Sequence, residues 1–376
     1  DLTEWNSIHK ELEGIKLRFA FCFPDIYEIG MSHLGMKILY HILNKQSDIY
    51  CERVFAPWVD MEALMRKEKI KLFSLESRDY INEFDFVGFT LQYEMSYTNI
   101  INMLDLAGIP KLSSDRVEGQ PFVVAGGPCA CNPEPLADII DFFMLGDGEE
   151  IILEVMDAYR LWKDSEGKRE DFLKTVSSIN GVYVPSFYDV YYNEDNTIRS
   201  IKPSREGIPK KVKKRVLKKL SGADFPDKII VPFIDIVHDR IMLEIFRGCT
   251  RGCRFCQAGM IYRPVRERDV DELMGIAENL VDSSGYGEIS LSSLSTGDYT
   301  KLNELTEKLA SKYEADKIGL SLPSLRIDSF SLELLKNVQK VRKSGLTFAP
   351  EAGSQRLRDV INKNVTEEDL IDSVGA

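Results

Sequence analysis

The sequence predicts an α/β protein built from two successive parallel-sheet halves, and three observations carry that expectation. Short apolar runs alternate with amphipathic stretches at helical spacing along most of the 376 residues. Glycine and polar residues gather just past the ends of the apolar runs, where parallel sheets collect their ligands. A loop holding three cysteines directly follows one such run, at residues 241–246. The length allows about two domains, expected at 1–155 and 241–376 around a connector at 156–240.

The first half opens with a strand at 17–23 that ends at Pro24. A helix is expected at 32–43, with Leu34, Ile38, Leu39 and Ile42 on one face. Further strands are expected at 84–90, 121–125 and 142–145, and helices at 61–68, 97–107 and 150–162. His33 reads as a helix-start residue. Cys129 and Cys131, one residue apart, point to opposite sides of an extended segment, so they read as small packing residues rather than joint ligands.

In the connector, 163–171 is charged and polar, as a solvated helix end or loop would be. Residues 182–192 read as one strand, turning at 193–196 into a second strand that ends at Lys202. The run 210–219 is strongly basic. It reads as a solvated face, with RNA or another acidic partner as the alternative.

The second half repeats one pattern: strand, polar rim, helix. Strands are expected at 241–246, 288–294, 317–322 and 345–349, and helices at 269–283, 302–313 and 331–341. Polar residues cluster at each strand end: Ser295, Thr296, Gly297 and Asp298; Ser324 and Arg326; Glu351 and Ser354. That repetition is the mark of a (β/α) barrel with its site at one rim. Four βα units are visible, so the barrel is expected to be partial and the chain an internal piece of a longer protein. The first residue, Asp rather than Met, agrees with that.

Composition bounds the function. Hydrophobic content of 44% and charged content of 29% describe a globular chain with a real core. A formal charge of −12 argues against a broad nucleic-acid surface. Seven cysteines, odd in number and irregularly spaced, do not form a secreted disulfide framework. Free thiols suit a reducing cytoplasm. No apolar run approaches the ~18 residues of a membrane span, so no membrane partner is expected.

Cys249, Cys253 and Cys256 follow the spacing C-x3-C-x2-C. Three thiolates on one loop suit an iron–sulfur cluster, and four irons need a fourth ligand. Zinc prefers four ligands in two pairs, yet His238 is the only nearby histidine and no second cysteine pair follows. The spacing, with Phe255 just before the last cysteine, resembles the cluster loop of radical S-adenosylmethionine (SAM) enzymes. The resemblance implies a 4Fe-4S cluster on the three cysteines, with the open iron holding SAM. It implies one-electron cleavage of SAM to a 5′-deoxyadenosyl radical, fed by a small flavodoxin- or ferredoxin-type donor. It also places Phe255, Ser295, Thr296, Gly297, Asp298, Ser324, Arg326, Glu351 and Ser354 around SAM. The alternative at Asp298 and Ser354 is a helix cap.

The first half carries a second resemblance. Asp25-x-Tyr27-x-x-Gly30, a later Gly126-Gly127-Pro128 and then Gly146-Asp147-Gly148-Glu149 resemble the Rossmann-like cobalamin-binding domain attached to one large class of radical SAM enzymes. The resemblance implies cobalamin against Asp25, Tyr27, Gly30, Gly126, Gly127, Pro128, Gly146, Gly148 and Glu149. Related cobalamin proteins carry a cobalt-ligating histidine where Tyr27 stands, so no histidine ligand is expected from this loop. The related methylthiotransferases place a second cluster on three cysteines of their first domain, a pattern that Cys22, Cys51, Cys129 and Cys131 do not match. The expected function is radical SAM chemistry, with methyl transfer from cobalamin to an unactivated carbon of an unknown substrate. The alternatives are radical rearrangement without methylation, a zinc-holding RNA-binding protein, and a cluster-bearing electron carrier or sensor.

Overall fold

The structure, a computed structural model, describes residues 4–165, 167–329, 334, 338, 341 and 348–375. The chain divides into two compact units, one of Ser7–Leu217 with Ile234–Val237, the other of Asp1–Asn6, Lys218–Phe233 and His238–Ala376. The first unit therefore runs well past residue 155 and takes in most of the expected connector.

The first unit contains, in order, β1 (Leu17–Phe23), the one-turn α1 (Tyr27–Gly30), α2 (Leu34–Asn44), β2 (Ile49–Phe55), α3 (Val59–Glu68), β3 (Phe86–Thr90), α4 (Tyr97–Ala107), β4 (Phe122–Gly126), β5 (Phe142–Met144), α5 (Gly148–Asp164), α6 (Arg169–Val176) and β6 (Val182–Tyr183). The sheet order is β2-β1-β3-β4-β5-β6; all neighbours are parallel except β6, which pairs antiparallel with β5. Helices cover both faces, which is why the strands read as continuous apolar runs. On one face Ala20, Cys22, Val87, Phe89, Val123 and Phe143 join a single buried cluster. On the other, Phe86 and Phe122 pack against Tyr159 and Phe172, with ring centroids 4.6–6.2 Å apart.

Two elements here escape the sequence pattern. β2 carries Glu52 and Arg53 in its middle, which breaks the apolar run, yet every residue of it is buried. Both charges are paired, as burial demands. Glu52 accepts from Arg18 at 2.6 Å, the Ser74 hydroxyl at 2.7 Å and the Ser77 amide at 2.9 Å. Arg53 donates to Glu76 at 2.6 Å. The polar stretch 163–171 is likewise no solvated loop at its end. Arg169 begins α6 and is buried, donating at 2.7 Å to Asp141, which also takes Arg116 at 3.0 Å.

The expected strand 182–192 divides at Pro185, which lacks the amide a ladder needs. Val182 and Tyr183 close the main sheet as β6, and Tyr188–Tyr192 (β7) forms a separate hairpin with Ile198–Pro203 (β8).

The second unit contains β9 (Ile241–Glu244), β10 (Phe246–Arg247), α7 (Ala258–Ile261), β11 (Arg266–Glu267), α8 (Val270–Ser284), β12 (Glu288–Ser292), α9 (Leu302–Tyr313) and β13 (Gly319–Ser321), followed by short helices Gln355–Val360 and Glu367–Gly375. β9, β12 and β13 form a parallel sheet in the order β13-β12-β9. Ile241, Leu243, Ile289, Leu291 and Leu320 bury one cluster with Leu273, Leu280, Leu305 and Leu309 of the helices. The expected run 241–246 is two strands, because the chain leaves the sheet after Glu244. The expected helix 331–341 and strand 345–349 lie for the most part outside the described residues. No helix among the described residues is long and apolar enough to cross a membrane.

Candidate functional site

Each unit places its sequence-marked residues at the carboxyl edge of its own parallel sheet, but the two edges are made differently.

At the edge of the first unit, the Asp25 carboxylate accepts from the Ile26 amide at 2.8 Å, which fixes the turn leaving β1. Tyr27 packs edge-on against Phe55 at 5.2 Å. Gly30 is buried, and a Cβ there would stand 2.3 Å from the Phe55 ring. His33 caps α2: its Nδ1 accepts from the Met36 amide at 3.1 Å. Burial pushes the imidazole down to about 4, with Lys37 acting in the same direction against a hydrogen bond with Gln92. His33 is therefore a neutral cap, as its position suggests.

The glycine turns differ from the sequence expectation. Gly127 has φ +102° and Gly146 φ +101°, backbone that L side chains rarely adopt. What presses on each of them is the protein itself. A Cβ at Gly127 would meet the Leu91 carbonyl oxygen at 2.7 Å, and one at Gly146 the Arg215 carbonyl oxygen at 2.0 Å. Gly148, at the start of α5, faces Leu39. Gly126 closes the ladder to β3, its carbonyl accepting from the Leu91 amide at 2.7 Å, and Pro128 opens the following turn, Pro128–Cys131. Glu149 lies half-buried in the first turn of α5. Cys129 is buried, which pushes its thiol up to about 11 with help from nearby Glu94; Cys131 is exposed, contrary to a packing role. Apolar side chains do stand open along this edge: Trp58 past β2, with Tyr93 and Met95 past β3. Sequence pattern did not single these out, since an isolated exposed apolar residue carries no periodic signal.

At the edge of the second unit, the cysteine loop is closed at its base by β10 against β11, with Phe246 opposite Glu267 and Arg247 opposite Arg266. Cys249 and Cys253 are half-buried; Cys256 and Phe255 are exposed. Among the described residues, no three His, Cys, Asp or Glu side chains stand together as metal ligands. The donor set on this loop still fits an iron–sulfur cluster, because its three thiols lie on one short closed loop with two arginines close by. To hold a cluster, the three cysteine side chains must turn toward one point.

Those arginines were not foreseen in these roles. Arg251, between the first two cysteines, donates through Nε to Asp298 at 2.7 Å and through Nη1 to Asp328 at 3.0 Å. Arg326 grips the same Asp328 in a fork of 2.9 and 3.0 Å, donates to the Lys363 carbonyl at 2.7 Å, and brings Nη1 to 4.0 Å from Cys253 Sγ. Asn362 donates to the Gly252 carbonyl at 2.9 Å. Burial, the largest single influence, raises the Asp298 carboxyl; the hydrogen bond and charge of Arg251, acting together with Ser295 and Arg326, outweigh it and hold the group below the usual carboxylate range.

The residues expected around SAM thus divide. Asp298, Arg326 and Cys253 come together in one network. Ser295 is buried, Thr296 joins two strand ends by donating its amide to the Ser324 carbonyl at 3.0 Å, and Gly297 lies in the turn between Thr296 and Asp298. Glu351 pairs with Lys363 at 3.1 Å. Ser354 caps the helix Gln355–Val360, so the capping alternative holds for it; Asp298 is an ion-pair partner instead. Arg251 was missed because its partners Asp298 and Asp328 lie 47 and 77 residues away along the chain. The one available signal was the placing of an arginine inside the cysteine motif.

The family model for the N-terminal region of radical SAM proteins matches residues 35–185, and that of the radical SAM superfamily matches residues 243–376. The uncharacterized protein MJ0966 of Methanocaldococcus jannaschii is 30% identical over 362 residues, covering 94% of this chain. The chain spans 65% of that relative's length. Among solved structures, the cobalamin-dependent SAM radical enzyme OxsB, with aqua-cobalamin and SAM bound, superposes with a TM-score of 0.62 at 14% identity, over 95% of this chain and 47% of its own. The radical SAM methyltransferase TsrM from Kitasatospora setae, with cobalamin and a [4Fe-4S] cluster bound, gives 0.60 at 13% identity, over 94% and 62%. At these identities the likeness is one of fold.

Proposed function

We propose that this chain, which belongs to the radical SAM proteins, cleaves SAM reductively at a cluster on Cys249, Cys253 and Cys256. The observation that carries the proposal is the C-x3-C-x2-C loop itself, closed at its base by β10 and β11 at the carboxyl end of a parallel sheet, inside the superfamily match at 243–376. When bound, the cluster supplies the electron that turns SAM into a 5′-deoxyadenosyl radical. The chain's own groups do the holding. Three thiolates would ligate, Arg251 ties the loop to Asp298 and Asp328 past β12 and β13, and Asn362 holds it through the Gly252 carbonyl.

The reading extends to cobalamin bound at the first unit's sheet edge. It is supported by the match at 35–185, by a fold shared along the chain with enzymes that bind cobalamin, and by Trp58, Tyr93 and Met95 left open for a large flat ligand to cover. Cobalamin would supply a methyl group, which makes methylation of an unactivated carbon the proposed outcome, with an external flavodoxin- or ferredoxin-type donor. Rearrangement without methylation is the rival.

The test is anaerobic. The protein is reconstituted with iron, sulfide and hydroxocobalamin, given SAM and dithionite, and assayed for 5′-deoxyadenosine. Product that vanishes in Cys253→Ala supports the enzyme. A stable cluster without SAM cleavage would make the protein an electron carrier or sensor. Cleavage without retained cobalamin would remove methyl transfer.

A further inference from the structure

We infer that Arg326 tunes the cluster's reduction potential from the sulfur side of Cys253, and that Arg251 is the positioning residue that holds it there. The inference rests on the reading of the cysteine loop as the cluster site.

A guanidinium that receives a free carboxylate ligand should present its fork to open space. Here Nε and Nη2 are both spent on Asp328, at 2.9 and 3.0 Å, and Nη2 also donates to the Lys363 carbonyl at 2.7 Å. Nη1 lies on the cysteine side, 4.0 Å from Cys253 Sγ. The side chain is largely buried, only 9% exposed, so water screens it weakly. A fixed cation beside a ligating sulfur favours the reduced, more negative cluster over the oxidised one. Charge and hydrogen bonds at the sulfurs are among the means by which proteins set such potentials.

Arg251 enters through the shared carboxylate. Asp328 Oδ2 accepts from Arg251 Nη1 and from Arg326 Nη2, each at 3.0 Å. Asp298 anchors Arg251 from the other side, Nε to Oδ2 at 2.7 Å. The chain Asp298–Arg251–Asp328–Arg326 therefore ties the cysteine loop to the ends of β12 and β13 and sets where Nη1 points. Removing Arg251 releases one side of Asp328 and also deletes a cation that acts on Cys249, so its effect shares the sign of the Arg326 deletion.

The experiment is an EPR-monitored redox titration of the reconstituted full chain, beside equilibrium dialysis of labelled SAM, for wild type, Arg326→Gln, Arg326→Lys and Arg251→Gln. The expected result is a midpoint that falls in Arg326→Gln, recovers in part in Arg326→Lys, which restores the charge without the fork, and falls also in Arg251→Gln. SAM affinity is expected to change less than about threefold. An unchanged midpoint with SAM affinity lost tenfold or more would make Arg326 a SAM carboxylate ligand and overturn the inference. Should Arg326→Gln fail to hold iron, Arg326→Lys and Arg251→Gln decide the matter by the same two readouts. If wild type itself forms no EPR-active cluster, the reading of the cysteine loop fails first and the inference falls with it. A normal wild-type cluster with indifferent variants sinks the inference alone.

Discussion

The carboxyl edges of the two sheets occupy the same place in their units and are built by opposite means. The first is shaped by backbone: two left-handed glycines pressed against carbonyls, a neutral histidine cap, and aromatic rings packed edge to face. The second is shaped by charge: two arginines and two carboxylates in one chain of ion pairs around half-buried thiols. Backbone shape tolerates no added atom, whereas a chain of ion pairs answers to changes of charge. Stability should therefore reside in the first edge and chemistry in the second.

The sharpest way to break that contrast is Cys253→Ala. SAM cleavage should vanish, while the unfolding free energy from urea titration should change by no more than about 0.5 kcal/mol, since the thiol is only half-buried. A large stability loss would mean that the second edge is also structural.

Gly146→Ala should do the reverse. A Cβ 2.0 Å from the Arg215 carbonyl oxygen, on left-handed backbone, should cost about 3 kcal/mol in urea unfolding. Gly127→Ala should cost less, because its nearest carbonyl oxygen is at 2.7 Å. Neutral behaviour of both variants would return these glycines to the role of making room for a ligand.

His33 gives a test by pH. Its folded value lies near 4 against an ordinary 6.5, so the unfolded chain takes up the proton first as pH falls. The neutral cap's contribution is complete above about pH 6.5 and is lost progressively toward pH 4. The loss should reach about 3 kcal/mol by pH 4 in denaturation profiles. His33→Gln should flatten that part of the profile; an identical slope in the variant would show that the fold does not lower the imidazole at all.

The smallest effect belongs to Ser354→Ala. Losing a helix cap should cost about 0.5 kcal/mol by thermal melting, with SAM affinity unchanged by dialysis. A tenfold loss of SAM affinity would restore Ser354 to the SAM site.

Sequence pattern alone was enough for the alternation of strands and helices. Helices Tyr97–Ala107 and Leu302–Tyr313 and strand Leu17–Phe23 lie where hydrophobic periodicity puts them. It was enough for the cysteine loop too, because three ligands within eight residues are a local fact. Tertiary structure decided everything that depends on distant partners. β2 exists because Arg18, Ser74 and Glu76 neutralise charges that break its apolar run. Gly146 is a glycine because Arg215 crosses it 69 residues later. Arg326 faces a sulfur because Asp328 and Lys363 hold its fork. The reason is common to all three. Periodicity records which face of a residue is buried, but the pairing of a charge or the filling of a glycine's open side depends on an atom that arrives from elsewhere in the chain.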